Sequence, residues 1–267
     1  MGIYSCFIDL RKAFDCVNRE MLMYKILNSG INGKMYMNLK TLYNCEKTKS
    51  CIRINDNVTD WFITGQGVKQ GDSLSPVIFL LFINDLAQEL AGMNVGTLFD
   101  QRKIPILMYA DDIVLLSDSE KEMQTMLDHV HKWCKKWLMA VNLDKTKIVH
   151  FRKAKTPRSE YIYKYGSQPV EYANVYKYLG MYFDEHLTFE HNEEQLTLAG
   201  NRALGGIISK LKQNDCMSYE VYTKCVFTCV KPVIEYGSEI VGVYNHGKLE
   251  RVINAAARAF FPPKENN

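Results

Sequence analysis

The run Leu107-Met108-Tyr109-Ala110-Asp111-Asp112-Ile113-Val114-Leu115-Leu116 sets two adjacent carboxylates inside an otherwise apolar stretch. Aspartate is depleted in strands, and burying an ionised carboxylate is costly unless it is paired, hydrogen-bonded or bound to a metal. The pattern therefore reads as two short strands with Asp111 and Asp112 at the tip of the turn between them. Two roles fit such a tip. One is a solvated hairpin turn, where aspartate is an ordinary residue. The other is a divalent-metal site, which requires a third carboxylate from another part of the chain.

A candidate for that third acid comes early. Ile3 to Leu10 reads as a buried strand with Asp9 near its end, followed by a helix from about Val17 to Asn28 closed by Gly30, and a second from Gly33 to Tyr43. Residues 51–54 and 61–63 flank the turn-rich Asn55-Asp56-Asn57 and predict a hairpin. Gly65 to Pro76 is a loop that launches a helix, with Ser75 as its N-cap and Pro76 in the first turn. Val77 to Leu90 is apolar nearly all round, which predicts a buried helix. Ser119 caps a further helix, whose apolar positions run from Met123 to Trp137 at three- and four-residue spacing. Strand-like positions follow within Ala140–Phe151, at Tyr161–Tyr163 and at Tyr176–Phe183. From about Asp184 the pattern changes to helices over 188–212, 217–230 and 246–260. The expected class is α+β, an antiparallel sheet with helices packed on one face over residues 1–184, then a mostly helical region over 185–267.

Composition excludes several classes. The 267 residues are 47% hydrophobic and 24% charged, an ordinary globular balance without a disorder signature. No stretch reaches the roughly 20 apolar residues of a membrane-spanning helix, and the N-terminus lacks a signal-peptide pattern, so an intracellular setting without membrane partners is expected. Cysteines stand at 6, 16, 45, 51, 134, 216, 225 and 229 without a CxxC pair, which argues against a zinc ribbon. Cys225 and Cys229, four apart on a predicted helix, read as core packing, as do His129, His131 and Cys134 beside Trp133 and Trp137. Net charge is only +3, yet ten lysines and arginines between Lys132 and Lys164 face just Asp144 and Glu160. Such a segment suits a polyanion, and equally a plain solvated surface.

If the strand of Asp9 neighbours the Asp111-Asp112 hairpin, three carboxylates meet at one sheet edge. Hard oxygen ligands of this kind suit Mg²⁺, which keeps waters and takes other ligands from substrate phosphates. Two such ions about 4 Å apart clamp the attacking and leaving oxygens of an in-line phosphoryl displacement.

Three motifs in order carry a resemblance. Phe7-Ile8-Asp9-Leu10-Arg11-Lys12-Ala13-Phe14-Asp15, Gly67-Val68-Lys69-Gln70-Gly71-Asp72-Ser73-Leu74-Ser75-Pro76 and Tyr109-Ala110-Asp111-Asp112 resemble the first three palm motifs of reverse transcriptases. The wording is most similar to the non-LTR (LINE-type) retrotransposon enzymes, and Leu143-Asp144-Lys145-Thr146-Lys147 and Tyr178-Leu179-Gly180 resemble the fourth and fifth motifs. The covered region is roughly 3–183, and the trailing helices resemble the thumb. The resemblance implies an RNA-directed DNA polymerase acting with Mg²⁺, or Mn²⁺ in its place, on an RNA template, a DNA primer and deoxynucleoside triphosphates. It implies Asp9, Asp111, Asp112 and the Leu10 carbonyl as metal ligands, Ala13, Phe14, Gln70 and Gly71 in the nucleotide pocket, and Tyr178, Leu179 and Gly180 as primer grip. A flat ring at Phe14 would exclude a 2′-hydroxyl, and simple core packing is the other reading of that residue. Lys145 matches the lysine that protonates the pyrophosphate, with Lys147 the alternative and a solvated surface lysine the ordinary reading of either. Family members place a fingers region upstream, and such elements usually carry an endonuclease; neither motif set occurs in this sequence. The competing expectation is a truncated, catalytically inactive retroelement remnant that at most binds nucleic acid.

Overall fold

The computed structural model describes residues 2–44, 48–215, 217–242 and 247–261. Cys45, Cys216 and position 246, where the last helix was expected to begin, lie outside the described residues. The chain divides into two compact units, Met1–Asn174 and Val175–Asn267.

The first unit is built on a four-stranded sheet of β1 (Ile3–Asp9), β8 (Ile106–Tyr109), β9 (Asp112–Ser117) and β10 (Lys147–Phe151), in the order β10-β1-β9-β8. Every pairing within it is antiparallel. Cys6, Ile8, Ile113, Leu115 and Ile148 point into one apolar cluster with α1 (Arg19–Asn28), α3 (Ser75–Gly92) and α4 (Glu120–Trp137). The large side chains of that cluster, Phe79, Phe82, Leu86, Leu90, Met126 and Trp133, are almost wholly excluded from water. Burying each contributes roughly 1.5–3 kcal/mol. The α+β class with helices on one face of an antiparallel sheet is the architecture read from the sequence.

Local boundaries moved for identifiable reasons. Helix α1 begins at Arg19 because the Asn18 side chain accepts a hydrogen bond from the Met21 N–H (3.0 Å) and caps it there. α2 spans Gly33–Leu42. The hairpin predicted from 51–54 and 61–63 turns at Asn55, as expected, but pairs in two separate rungs. β3 (Arg53–Ile54) pairs with β4 (Asn57–Val58), and β2 (Lys49–Ser50) with β5 (Phe62–Ile63). Ser75 is not the N-cap of α3. Leu74 holds that position, Asp72 accepts from the Leu74 N–H, and the Ser75 hydroxyl donates to the Lys69 carbonyl instead. Ser119 does sit at the N-cap of α4, without a capping side-chain bond.

Ahead of the aspartate hairpin lies another, β6 (Thr97–Phe99) and β7 (Arg102–Ile104), with Pro105 separating it from β8. Within Ala140–Phe151 only β10 is strand, joined by a single bridge between Val141 and Leu10. The strand expected at Tyr161–Tyr163 begins three residues later, as β11 (Lys164–Tyr165) paired with β12 (Gln168–Pro169). Gly166 at φ +63° sets that turn, and Tyr163 is instead a fully buried core residue.

The second unit opens with a hairpin, β13 (Val175–Tyr178) and β14 (Met181–Asp184), and continues in helices. The hairpin belongs to the second of the two units. α5 (Glu190–Gln213) packs with α9 (Gly247–Phe260) around Leu204, Tyr222, Val230, Ile234 and Val252. At Gly200 a Cβ would meet the Ile234 side chain at 2.5 Å, so glycine there permits the approach. The expected helix 217–230 is α6 (Tyr219–Cys225), then a π-helical turn over Val226–Val230 and α7 (Lys231–Ile234), with α8 (Ser238–Val241) beyond. Pro232 lacks the N–H that would bond one turn back, and the ladder widens ahead of it. Cys229 is exposed on that turn, not packed in the core, and Cys225 is half-buried. No helix among the described residues is long and apolar enough to cross a membrane.

Lys25 places a buried charge in the helical layer. Its ammonium is buried, donates to the Phe82 carbonyl and to Asp85 (2.7 Å), and lies 3.8 Å from the centre of the Trp137 ring. Trp133 donates to the same Asp85 carboxylate (3.0 Å). Desolvation dominates over the Asp85 partner and lowers the Lys25 pKa to about 8. Below pH 8 both folded and unfolded states carry this proton. Between about 8 and the ordinary lysine value only the unfolded state keeps it, so this group makes the fold more stable as pH rises. Burial raises the thiol pKa of Cys6 and Cys134, which acts in the opposite sense above the ordinary thiol range. Comparing wild type with Lys25→Met by denaturant unfolding cancels the thiols. The stability difference, wild type minus variant, should increase by about 1–2 kcal/mol between pH 7.5 and 9.5; a flat difference would contradict this account.

Candidate active site

The antiparallel register of β1 and β9 sets Asp9 directly opposite Asp112. Side chains alternate along a strand, so both aspartates point away from their neighbours Ile8 and Ile113, which enter the helical core. The carboxylates thus stand on the sheet face opposite the helices. Asp111 lies beside them in the two-residue turn that joins Tyr109 to Asp112. That turn is tight because Ala110 takes φ +54°. For a residue with a Cβ this left-handed backbone costs roughly 1–2 kcal/mol, which the flanking ladder must offset.

Repulsion at this edge is legible in one group. Partial desolvation of Asp112, then the charges of Asp111 and Asp9, push its pKa above the usual aspartate value. Lys145 is the nearby cation, with its ammonium 3.9 Å from Asp9 and its side chain 68% exposed. A tight turn brings it there, the N–H groups of Lys145 and Thr146 both bonding the Asn142 carbonyl. Lys147 sits within β10 and pairs with Glu171 at 2.6 Å. Thr146 was not singled out from the sequence, yet its buried hydroxyl accepts a hydrogen bond from the Asp9 N–H (3.2 Å) and fixes the end of β1. The Asn142 N–H bonds the Asp9 carbonyl and the Arg11 N–H bonds the Ala140 carbonyl. In an antiparallel bridge of this kind, the N–H and carbonyl of the intervening Leu10 point to the other side, toward the strand that carries Asp112.

The donor set at this edge consists of carboxylate and carbonyl oxygens, which fits a hard divalent cation such as Mg²⁺ and not a thiophilic one. Among the described residues no group of three His, Cys, Asp or Glu side chains is placed to hold a metal ion by itself. An open oxygen edge is compatible with Mg²⁺, which ordinarily takes one or two carboxylates and fills its shell with water and phosphate oxygens.

The next segment turns at Arg11–Cys16, and a second loop docks on it. The Val68 N–H bonds the Phe14 carbonyl and the Gly67 N–H bonds the Val17 carbonyl, both at 2.8 Å. Gly67 is required there, because a Cβ would meet the Asp15 carbonyl oxygen at 2.8 Å. Gln70 donates to Asp15 (2.8 Å) and is exposed, and Gly71 follows at φ +83° with open space around it. Phe14 is half-buried with its ring stacked on Phe79, centroids 4.4 Å apart, while Ala13 is buried in the core. Tyr178, Leu179 and Gly180 belong to the second unit. Leu179 and Gly180 form the turn of its hairpin, at φ +47° and +85°, and the Tyr236 hydroxyl donates to the Leu179 carbonyl (2.6 Å).

Carboxylates thus stand at the end of a central strand and on the adjoining hairpin, with a glycine-bearing loop docked on the turn that follows. A family model described as reverse transcriptase (RNA-dependent DNA polymerase) matches residues 3–183, and the chain belongs to that family. It is similar to a probable RNA-directed DNA polymerase from transposon BS of Drosophila melanogaster, 28% identical over 96% of this chain and 28% of that protein. It is also similar to the RNA-directed DNA polymerase from mobile element jockey of Drosophila funebris, 25% identical over 93% of this chain and 27% of that protein. The chain thus spans little more than a quarter of these relatives, which are non-LTR retrotransposon polymerases. Apo telomerase from Candida tropicalis shares the palm and thumb fold, with a TM-score of 0.51 at 13% identity, over 97% of this chain and 46% of that one.

Removing one of the crowded charges should relax the others. In Asp111→Asn the Asp112 carboxyl should titrate closer to the ordinary aspartate value, read by carbon NMR of the side chain. A raised folded pKa means that stability falls as pH climbs through it, because the unfolded state sheds the proton first. Asp112→Asn should therefore stabilise the ion-free protein at pH 7, by under about 1 kcal/mol for so exposed a group, with the gain vanishing in acid. Thermal unfolding at pH 3 and pH 7 checks the sign.

Proposed function

We propose that this chain is the palm and thumb portion of a retroelement RNA-directed DNA polymerase, with residues 1–184 as palm and 185–267 as thumb. The single observation that carries the reading is the register of Asp9 opposite Asp112, with Asp111 in the adjoining turn. The substrates are a DNA primer on an RNA template and deoxynucleoside triphosphates. Divalent ions, Mg²⁺ or Mn²⁺, held by Asp9, Asp111, Asp112 and the Leu10 carbonyl, supply charge neutralisation at the attacking and leaving oxygens.

The protein's own groups account for the remainder. The primer 3′-hydroxyl gives up its proton to solvent, its oxygen forms a bond to the α-phosphorus as the bond to the bridging oxygen breaks in line, and pyrophosphate leaves. Lys145, beside Asp9 and well solvated, donates a proton to that leaving group. Lys147 is less suited, since its ammonium is engaged by Glu171. Phe14, seated on Phe79, presents a flat ring under the sugar and leaves no room for a 2′-hydroxyl. Gln70 and Gly71 pack on the incoming nucleotide from the docked loop, and the Tyr178-Leu179-Gly180 turn seats the primer end. Lysines in the 132–164 segment, among them the exposed Lys132, Lys135 and Lys136, supply phosphate contacts.

A primed RNA template, labelled deoxynucleotide and Mg²⁺ or Mn²⁺ test the reading directly. Incorporation by the purified chain should drop at least about 100-fold in Asp111→Ala/Asp112→Ala, a loss typical for removing charge stabilisation at a reacting phosphate. Equal incorporation by both would overturn it. Salt-dependent binding to primer–template without extension would mark a nucleic-acid-binding remnant instead. Phe14→Val should raise ribonucleotide use relative to deoxynucleotide by about tenfold or more, the scale on which a filled or emptied pocket discriminates; an unchanged ratio would return Phe14 to a packing role.

A further inference from the structure

Arg19 is 4% exposed, and among the described residues no carboxylate forms an ion pair with it. A buried guanidinium without an anionic partner is costly, and its position needs an account. Its donors go to the loop that carries Gln70 and Gly71. Nε donates to the Gly67 carbonyl (2.8 Å) and Nη1 to the Thr64 carbonyl (2.6 Å), and its Cζ lies 5.7 Å from the centre of the Tyr43 ring. Tyr43 in turn meets Ser75 (3.2 Å between hydroxyls), and the Ser75 hydroxyl donates to the Lys69 carbonyl (2.5 Å).

The loop is thus tied at Thr64, Gly67 and Lys69, immediately before Gln70. Each tie is a main-chain carbonyl, so the fork reads backbone position, not side-chain identity. A planar guanidinium can hold two carbonyls at once, which a lysine ammonium on a flexible stem does not reproduce. Two further bonds, from the Gly67 and Val68 N–H groups to the Val17 and Phe14 carbonyls, close the loop onto the turn after Asp9.

We infer that Arg19 is a positioning residue for nucleotide binding: through the Thr64 and Gly67 carbonyls it fixes the loop that presents Gln70 and Gly71. The inference rests on the polymerase reading of those two residues. Two readouts separate the one from the other. Hydrogen exchange on the whole chain reports the clamp without any catalysis, and steady-state kinetics report its consequence.

In Arg19→Lys, amides of residues 64–75 should exchange at least tenfold faster, while β1 and β9 keep their protection and show that the sheet is folded. KM for the deoxynucleotide should rise about tenfold, with kcat and KM for primer–template within threefold of wild type. Arg19→Gln, which keeps two N–H donors without the charge, should fall between. Unchanged exchange in 64–75, or a primer–template KM that moves in step with the nucleotide KM, would overturn the inference. Exchange lost across β1 and β9 in both variants would also overturn it, making Arg19 a residue of global stability. A wild-type chain that incorporates nothing fails the polymerase reading and takes the nucleotide role of Arg19 with it, while the exchange result decides the clamp by itself.

Discussion

Everything at the carboxylate edge depends on which residue of β9 faces which residue of β1. Strand side chains alternate with a period of two, so a slip of one residue in this pairing would send Asp112 into the helical core and Ile113 out of it. Ile113, Leu115 and Ile8 forbid that slip, because each is buried among helix side chains on the inner face. Hydrophobic burial, which has no direction of its own, thereby fixes a polar geometry on the opposite side. The inner face specifies and the outer face follows.

That division explains how much was readable in the amino-acid order. Asp111-Asp112 inside an apolar run, and Asp9 at the end of another, are chemical anomalies, and anomalies survive uncertainty in strand boundaries. The same is true of helix α4, whose apolar stripe from Met123 to Trp137 is strictly periodic. What resisted reading is held by main-chain bonds with little signature in side-chain type. Arg19 looked like one more polar residue of a helix, and only the fold shows its fork turned on two carbonyls. Thr146 lay within a charged turn, with nothing to mark its bond to Asp9. The break at Pro105 and the widened turn before Pro232 had a local cause in sequence, but where the neighbouring bonds go is a tertiary matter. Short rungs such as Lys49–Ser50 with Phe62–Ile63 offer too few residues for periodicity to place.

Two kinds of electrostatic tension coexist in the first unit. Around Lys25 a single charge is taken from water and partly compensated by Asp85 and three aromatic rings, which locks the helical layer. Around Asp112 like charges are gathered where solvent still reaches, so the ion-free edge is held together against its own repulsion. The first tension belongs to folding. The second is a standing free-energy cost carried at an open, solvent-reached edge.

Ala110 carries a consequence for how this gene can drift. A left-handed backbone at φ +54° tolerates glycine, asparagine, aspartate or, at some strain, alanine. Branched side chains such as valine or isoleucine are shut out by their own Cβ substituents. The position between Tyr109 and the two aspartates is therefore narrowed by backbone shape alone, before any demand from a substrate. A copy of this sequence that accumulates changes freely should lose the hairpin through this alanine as readily as through either carboxylate.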